Sequence, residues 1–255
     1  MRDAVIVSIV RTAIGKAING SLRNIRPEHT AAEVVKEAVR RANGLKPEEI
    51  DDLVMGCSFP EAEAGMNFGR CVALKAGLST HVPGITVNRY CASGLEAISI
   101  ASQKIMCGFA DVVVAAGTEH TTLIPMGGNK PMPDPDLITT WPEVYITMGL
   151  TAENVAQRYK ISRQDQDTFA CESHQKAAKA QADGRFKEQI LPIKVVDRGF
   201  EGGKAVVREK IFDKDECIRP DSSLEALSKL RPAFRAGGTV TAGNSCPLND
   251  ASAAA

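Results

Sequence analysis

The chain has 255 residues, is 44% hydrophobic, and balances 31 Lys plus Arg against 31 Asp plus Glu. It can bury a sizeable core as one large domain or two small ones, and its zero net charge offers no general field for nucleic acid or an anionic membrane. No segment approaches the roughly 18 apolar residues of a membrane span, and the apolar run in "MRDAVIVSIVRTAIGK" is too short and too early for a secretory signal.

In chain order, Ala4 to Val10 reads as a β-strand. Thr30 with Glu33 forms a capping box for a helix carrying Val34, Val35, Ala38, Val39 and Ala42, closed by Asn43 and Gly44. Leu53 to Met55 is a second strand, Asn67 to Ala76 a helix stopped by Gly77, and Ile85 to Asn88 a third strand. Ala92 to Cys107 follows as a helix with Leu95, Ile98, Ser102 and Ile105 on one stripe and Gly108 at its end. Asp111 to Ala116 is the fourth strand. This alternation predicts an α/β fold with a mostly parallel sheet, helices on its faces and right-handed crossovers.

The pattern changes after Glu119. "PMGGNKPMPDPDLITTWPEVY" reads as a long ordered loop, because its Pro, Gly and Asp interrupt both helix and ladder. Two helical segments follow, with Ser162 and Asp165 as a capping signal and Gly184 as a stop. They make an inserted α-rich subdomain that ends near "GGTVTAGNSCPLNDASAAA", where another strand begins.

Seven cysteines, odd in number and scattered, do not resemble a disulfide framework and indicate a reducing, cytoplasmic setting. Cys91, in "VNRYCASGLEAI", stands where a strand hands over to a helix. There its sulfur would feel the helix dipole and free backbone N–H groups, and small Ala92, Ser93 and Gly94 would let a ligand carbonyl approach the backbone. Two readings stay open: an activated thiolate, or one more packed sulfur. Cys57, Cys71, Cys107 and Cys171 lack this setting and read as packing residues. Cys-x-x-Cys, His-Glu-x-x-His, Gly-x-Gly-x-x-Gly after a strand and Gly-Lys-Ser/Thr are all missing, which disfavours zinc, iron–sulfur, dinucleotide and nucleoside triphosphate sites of those types. Of the histidines, His29, His81 and His174 suit a solvated surface, while His120 follows the fourth strand on the carboxyl edge that also carries Cys91. His120 is therefore the local candidate for a base. Asp134 and Asp136, flanked by prolines, read as a solvated turn.

"VNRYCASGLEAI", "AAGTEH", "MGLTAENVAQRY", "DTFACESHQKAAKAQADGRFKEQILPI", "DECIRPDSSLEALSKLRPAF" and "GGTVTAGNSCPLND" resemble, in order and spacing, the thiolases, which are acyl-CoA C-acyltransferases. The resemblance implies a βαβαβαβ sheet layered with helices. Residues 1–119 would form the half that carries the nucleophile, and 120–246 an inserted loop subdomain for CoA binding and oligomer contacts. Residues 247–255 would be the start of a truncated fifth strand, leaving an exposed sheet edge, with the C-terminal half of the fold absent. It implies that Cys91 attacks a 3-oxoacyl-CoA and carries the acyl group to free CoA, its own N–H helping to hold the oxyanion. Met148, Arg219, Phe234, Ala242 and Cys246 match positions near the acyl, pantetheine and nucleotide parts of CoA. CoA is then a substrate, no further cofactor is expected, and the partners are acyl-CoA, CoA and further copies in a homodimer or homotetramer.

Two positions depart from the family pattern: Cys246 where many members have serine, and Ala251 where glycine is usual. The family's second half supplies a Gly-His-Pro histidine, a Cys-x-Gly cysteine and an asparagine-held water, none of which lies in residues 1–255. The isolated segment is accordingly expected to be inactive. Arg89 before Cys91 and the proline-broken "MPDPDLITTWPEVYITMG" are closer to degradative 3-ketoacyl-CoA thiolases than to biosynthetic acetoacetyl-CoA ones. A non-catalytic acyl-CoA binder or split-subunit scaffold is the alternative from another class.

Overall fold

The computed structural model describes residues 2–255, and of Arg198, Phe200 and Glu201 the backbone only. Its first elements are β1 (Val10–Thr12), β2 (Gly15–Lys16), α1 (Pro27–Arg41), β3 (Asp52–Gly56) and α2 (Phe68–Lys75). β4 (Gly84–Val87), α3 (Ser93–Met106), β5 (Val113–His120), α4 (Pro135–Thr140), α5 (Met148–Tyr159) and α6 (Arg163–Ala182) follow. The chain closes with β6 (Ile190–Leu191), β7 (Ile193–Glu201), β8 (Lys204–Phe212), α7 (Leu224–Ser228) and β9 (Asn249–Ala254).

These elements fall into two compact units. One comprises Met1–Asn129, Lys187–Glu216 and Leu248–Ala255; the other Lys130–Phe186 and Cys217–Pro247. The insertion expected over 120–246 is thus two segments, with 187–216 returning to the first unit. The return is anchored by β6, which pairs with β1, and by Asp215, which accepts from the Arg11 guanidinium and from the Ile14 N–H. Glu216 adds bonds from the N–H groups of Lys16 and Ser21.

In the first unit the sheet runs β4-β3-β5-β9-β1-β6, with β2 beside β9. β4, β3 and β5 are parallel, as are β1 and β6, but β9 runs antiparallel to both β5 and β1. The expected mostly parallel sheet is therefore mixed. β9, in the stretch expected to begin a fifth strand, sits in the sheet's interior, so among the described residues the edges are β4 and β6 rather than the edge expected there.

β3 is buried along its whole length, and alternation sends its residues to two layers. Leu53 and Met55 join Val34 and Val35 of α1 and Phe68 and Val72 of α2, while Val54 packs with Ala97 and Ala101 of α3. The buried line of α3 is thus Ser93, Ala97 and Ala101, not the larger stripe expected; Leu95 is 70% exposed. Small residues win here because α3 lies close to the sheet: a Cβ on Gly56 would come within 2.5 Å of the Ser93 backbone.

Three further expectations change. Only Val10 of the Ala4 to Val10 run is in a strand, since the preceding residues have no ladder partner, and Val5, Ile6, Val7 and Ile9 are exposed. α1 begins at Pro27 without a side-chain cap, so Thr30 is an interior residue; its hydroxyl meets His120 Nε2 at 2.9 Å and the Ser252 hydroxyl at 2.8 Å. The Pro-rich loop contains α4, capped by the Asp134 carboxylate at the Leu137 N–H, and a turn of 3₁₀ helix at Pro142–Tyr145. The stop glycines Gly77, Gly108 and Gly184 do end their helices with positive φ, and the Ser162–Asp165 capping box on α6 is present.

Candidate active site around Cys91

The carboxyl ends of β3, β4 and β5 converge on the turn between β4 and α3. Tyr90 takes a left-handed conformation, φ 47°, which costs a non-glycine residue roughly 1 kcal/mol. The turn is laced from both sides. Ser93 Oγ accepts the Arg89 N–H at 2.9 Å and donates to the Tyr90 carbonyl at 2.6 Å, and the N–H groups of Ala92 and Ser93 return to the carbonyls of Arg89 and Tyr90. Arg89 also pairs with Glu96 one turn into α3.

Cys91 is exposed at the head of α3. Among the described residues, the N–H groups of Gly94 and Leu95 donate to no protein acceptor, as the first turn of a helix leaves them, and neither does that of Cys91 just before the cap. A Cβ on Gly94 would meet nothing within 4 Å, so the backbone there is open to a ligand atom. Gly94 also lines an apolar cleft of about 340 Å³ with Ile98, Ile9 and Ala115. Exposed sulfur, open backbone and unclaimed donors together can hold a thioester and the negative charge on its oxygen.

The other sulfurs differ. Cys57 is buried, and that burial, reinforced by Glu119, pushes its thiol up to about 12. Cys171 is buried beside the Ser222 carbonyl, as packing predicts, but Cys71 and Cys107 are exposed, because they fall on the outward side of α2 and at the end of α3. Glu119 itself is raised by burial, opposed by the Ser58 N–H that its Oε2 accepts at 2.7 Å.

His120, the local candidate for a base, is not placed to act on Cys91. It is 1% exposed and bonds Thr30 within a hydroxyl network of Thr30, Thr118 and Ser252. Burial lowers it to about 4 against the pull of Asp250, so it is neutral near pH 7. The even alternation of β5 turns His120 inward next to Glu119. His29 is half-buried and His81 exposed, while His174 accepts the Arg219 N–H at 3.2 Å; no described histidine is hydrogen-bonded to Cys91.

Met148, Arg219, Phe234, Ala242 and Cys246 all belong to the second unit. Met148 opens α5 and is 58% exposed, and the Phe234 ring lies so close to neighbouring Gly149 that a Cβ there would stand 2.1 Å from it. Arg219, Ala242 and Cys246 are exposed. Ala242 lies in a turn that Glu153 of α5 holds from beneath, accepting the N–H groups of Thr239 and Val240 at 2.8 to 3.0 Å. Burial would raise Glu153, but those N–H groups outweigh it and leave its carboxyl lowered. Asn244 completes the turn, accepting the Thr241 N–H and donating to Asp167.

Sequence reasoning passed over Asn88, Glu119, Glu153 and Asn244. Only Asn88 carried a local signal, the Asn-x-Tyr spacing that lets its side chain accept the N–H two residues on.

A family model described as "Thiolase, N-terminal domain" matches residues 4–255. The chain is 49% identical over 255 residues to a 3-ketoacyl-CoA thiolase of Bacillus subtilis, covering all of this chain and 65% of that one. It is 42% identical over 267 residues to an acetyl-CoA acetyltransferase of Cupriavidus necator, again covering all of this chain and 65% of the other. A crystal structure of the Bacillus anthracis acetyl-CoA acetyltransferase superposes with a TM-score of 0.83 at 36% identity, covering 100% of this chain and 65% of that chain. With its mixed sheet, its cysteine at the head of α3 and a match that runs nearly end to end, the chain belongs to the thiolase family and spans that family's N-terminal domain.

Proposed function

We propose that the full-length protein is an acyl-CoA C-acyltransferase that cleaves 3-oxoacyl-CoA with CoA. The Cys91 thiolate attacks the 3-keto carbon, the bond between carbons 2 and 3 breaks with its electron pair going to carbon 2, and protonation there releases acetyl-CoA. The acyl thioester left on Cys91 is then transferred to the sulfur of free CoA. The observation that carries this reading is the exposed Cys91 with the unclaimed N–H groups of Cys91, Gly94 and Leu95 beside it. In the same reading the second unit binds CoA through Met148, Arg219, Phe234, Ala242 and Cys246, the active form is a homodimer or homotetramer, and the setting is cytoplasmic. Seven free thiols suit a reducing compartment, and among the described residues no helix is long and apolar enough to cross a membrane.

Incubating the full-length protein with acetoacetyl-CoA and mapping its cysteine peptides by mass spectrometry tests the proposal. An acetyl adduct on Cys91, missing from Cys91→Ser, is expected; an adduct confined to another cysteine overturns it. Residues 1–255 alone should not turn over, since no described histidine is placed to serve Cys91 as a base. The relatives carry both degradative and acetyltransferase names. Comparing short and medium 3-oxoacyl-CoAs separates the two, with cleavage of the medium chain expected and activity on acetoacetyl-CoA alone favouring the biosynthetic role.

A further inference from the structure

Cys91 is exposed and directly follows Tyr90 in the turn, so the Tyr90 backbone sets where it sits. Left-handed Tyr90 is held at its carbonyl by the Ser93 hydroxyl and N–H, at its ring by half-buried Phe59 at 6.0 Å between centroids, and at its N–H by a 2.8 Å hydrogen bond to Asn88 Oδ1. The other end of the same side chain is also tied: Asn88 Nδ2 donates to the Ser58 carbonyl at 2.9 Å. Ser58 in turn gives its N–H to Glu119 Oε2 at 2.7 Å, while the preceding residue, Cys57, donates its N–H to the carbonyl of Val87 at 3.0 Å. The path therefore runs from the end of β5, through the end of β3, to the residue before the thiol.

Resting on the reading that Cys91 carries the acyl group, we propose that Asn88 is a positioning residue for Cys91, joining the rigid Glu119–Ser58 edge of the sheet to the Tyr90 N–H. Without the amide, the Tyr90 N–H loses its acceptor and the left-handed residue can relax toward ordinary φ. The direction of the Cys91 side chain relative to the free N–H groups of Gly94 and Leu95 then becomes variable. Those donors stabilise an oxyanion only while aimed at it. The amide itself never touches the substrate in this account.

The test uses the full-length protein and its Asn88→Ala and Asn88→Ser variants, since serine keeps an acceptor for the Tyr90 N–H but cannot reach Ser58 as asparagine does. Two rates are read at Cys91 by peptide mass spectrometry: acetylation by acetyl-CoA, and alkylation by iodoacetamide. Exposed Cys71, Cys107 and Cys246 serve as references in the same digest. Asn88→Ala should slow Cys91 acetylation at least tenfold and its alkylation far less, since alkylation develops no oxyanion, with the reference cysteines unchanged and Asn88→Ser between Ala and wild type. Unchanged acetylation in Asn88→Ala would overturn the positioning role, as would equal changes in alkylation at all four cysteines, which would mean general loosening. Failure of the underlying reading looks different: wild-type protein would then be acetylated elsewhere than at Cys91.

Discussion

Two turns, one in each unit, are built from the same materials and end in opposite states. The turn before α3 is held by Asn88, Ser93 and, at one remove, Glu119; the turn at 238–244 is held by Glu153 and Asn244. In the second, the N–H groups of Gly238, Thr239, Val240, Thr241, Gly243 and Asn244 all reach protein acceptors, and only Ala242 keeps its own unclaimed. In the first, three donors are left over around one exposed sulfur. The difference separates a turn whose polarity is spent on holding a shape from one that keeps polarity for chemistry. Each has a carboxylate behind it, half-buried Glu119 for the first and buried Glu153 for the second.

The largest expected effect is at the seat of the first turn. Gly56→Ala drives a methyl into the Ser93 backbone, which cannot move without lifting α3, and should cost about 3 kcal/mol or more in denaturant unfolding while slowing Cys91 acylation. Glu153→Ala removes the acceptor of two N–H groups in the second turn and should cost about 2 to 3 kcal/mol. It should leave Cys91 alkylation unchanged; a change there would mean that the two turns are not independent.

Acid acts on the two units in different windows. His120 is lowered in the folded state, so the unfolded chain binds its proton first, and stability should fall as pH drops from about 6.5 to about 4 and then level off. The steepest slope is about 1.4 kcal/mol per pH unit. Glu153 is also lowered but is a carboxylate: its contribution is complete above its ordinary range near 4.5 and is lost only as pH falls below it. Hydrogen exchange at pH 5, corrected for intrinsic rates, should therefore show weakened protection in β5 and β9 while Val240 stays protected; His120→Gln should flatten the first response. The smallest effect belongs to Glu37, held at about 2 chiefly by its hydrogen bond with Arg40, then Arg41. Solvent screens that cluster, so Glu37→Gln should change stability by about 0.5 kcal/mol and alter neither turn.

How much of this the sequence carried depended on where each signal was stored. Helix stops written as single glycines, at Gly77, Gly108 and Gly184, and the Ser162 cap on α6 were legible because their physics is local. The buried face of α3 was not, since hydropathy favours Leu95 and Ile98 over Ala97 and Ala101, and only the closeness of Gly56 and Gly117 demands small residues. Val5 to Ile9 has strand character but no partner in the ladder. Cys91 could be singled out from its place between strand and helix, whereas Glu119 and Glu153 act across long stretches of chain and leave no trace in their own neighbourhoods.

β9 has one more consequence. Among the described residues it is the one strand that joins the β4-β3-β5 and β1-β6 parts of the sheet, and it is made of "NDASAA", whose inward residues Asp250 and Ser252 bond Thr122, Thr30 and Thr118 instead of packing as hydrocarbons. During synthesis, strands made more than a hundred residues earlier must wait for residue 254 before they join. A nascent chain stalled ahead of Asn249 therefore carries two unjoined half-sheets, an early state for chaperones to recognise.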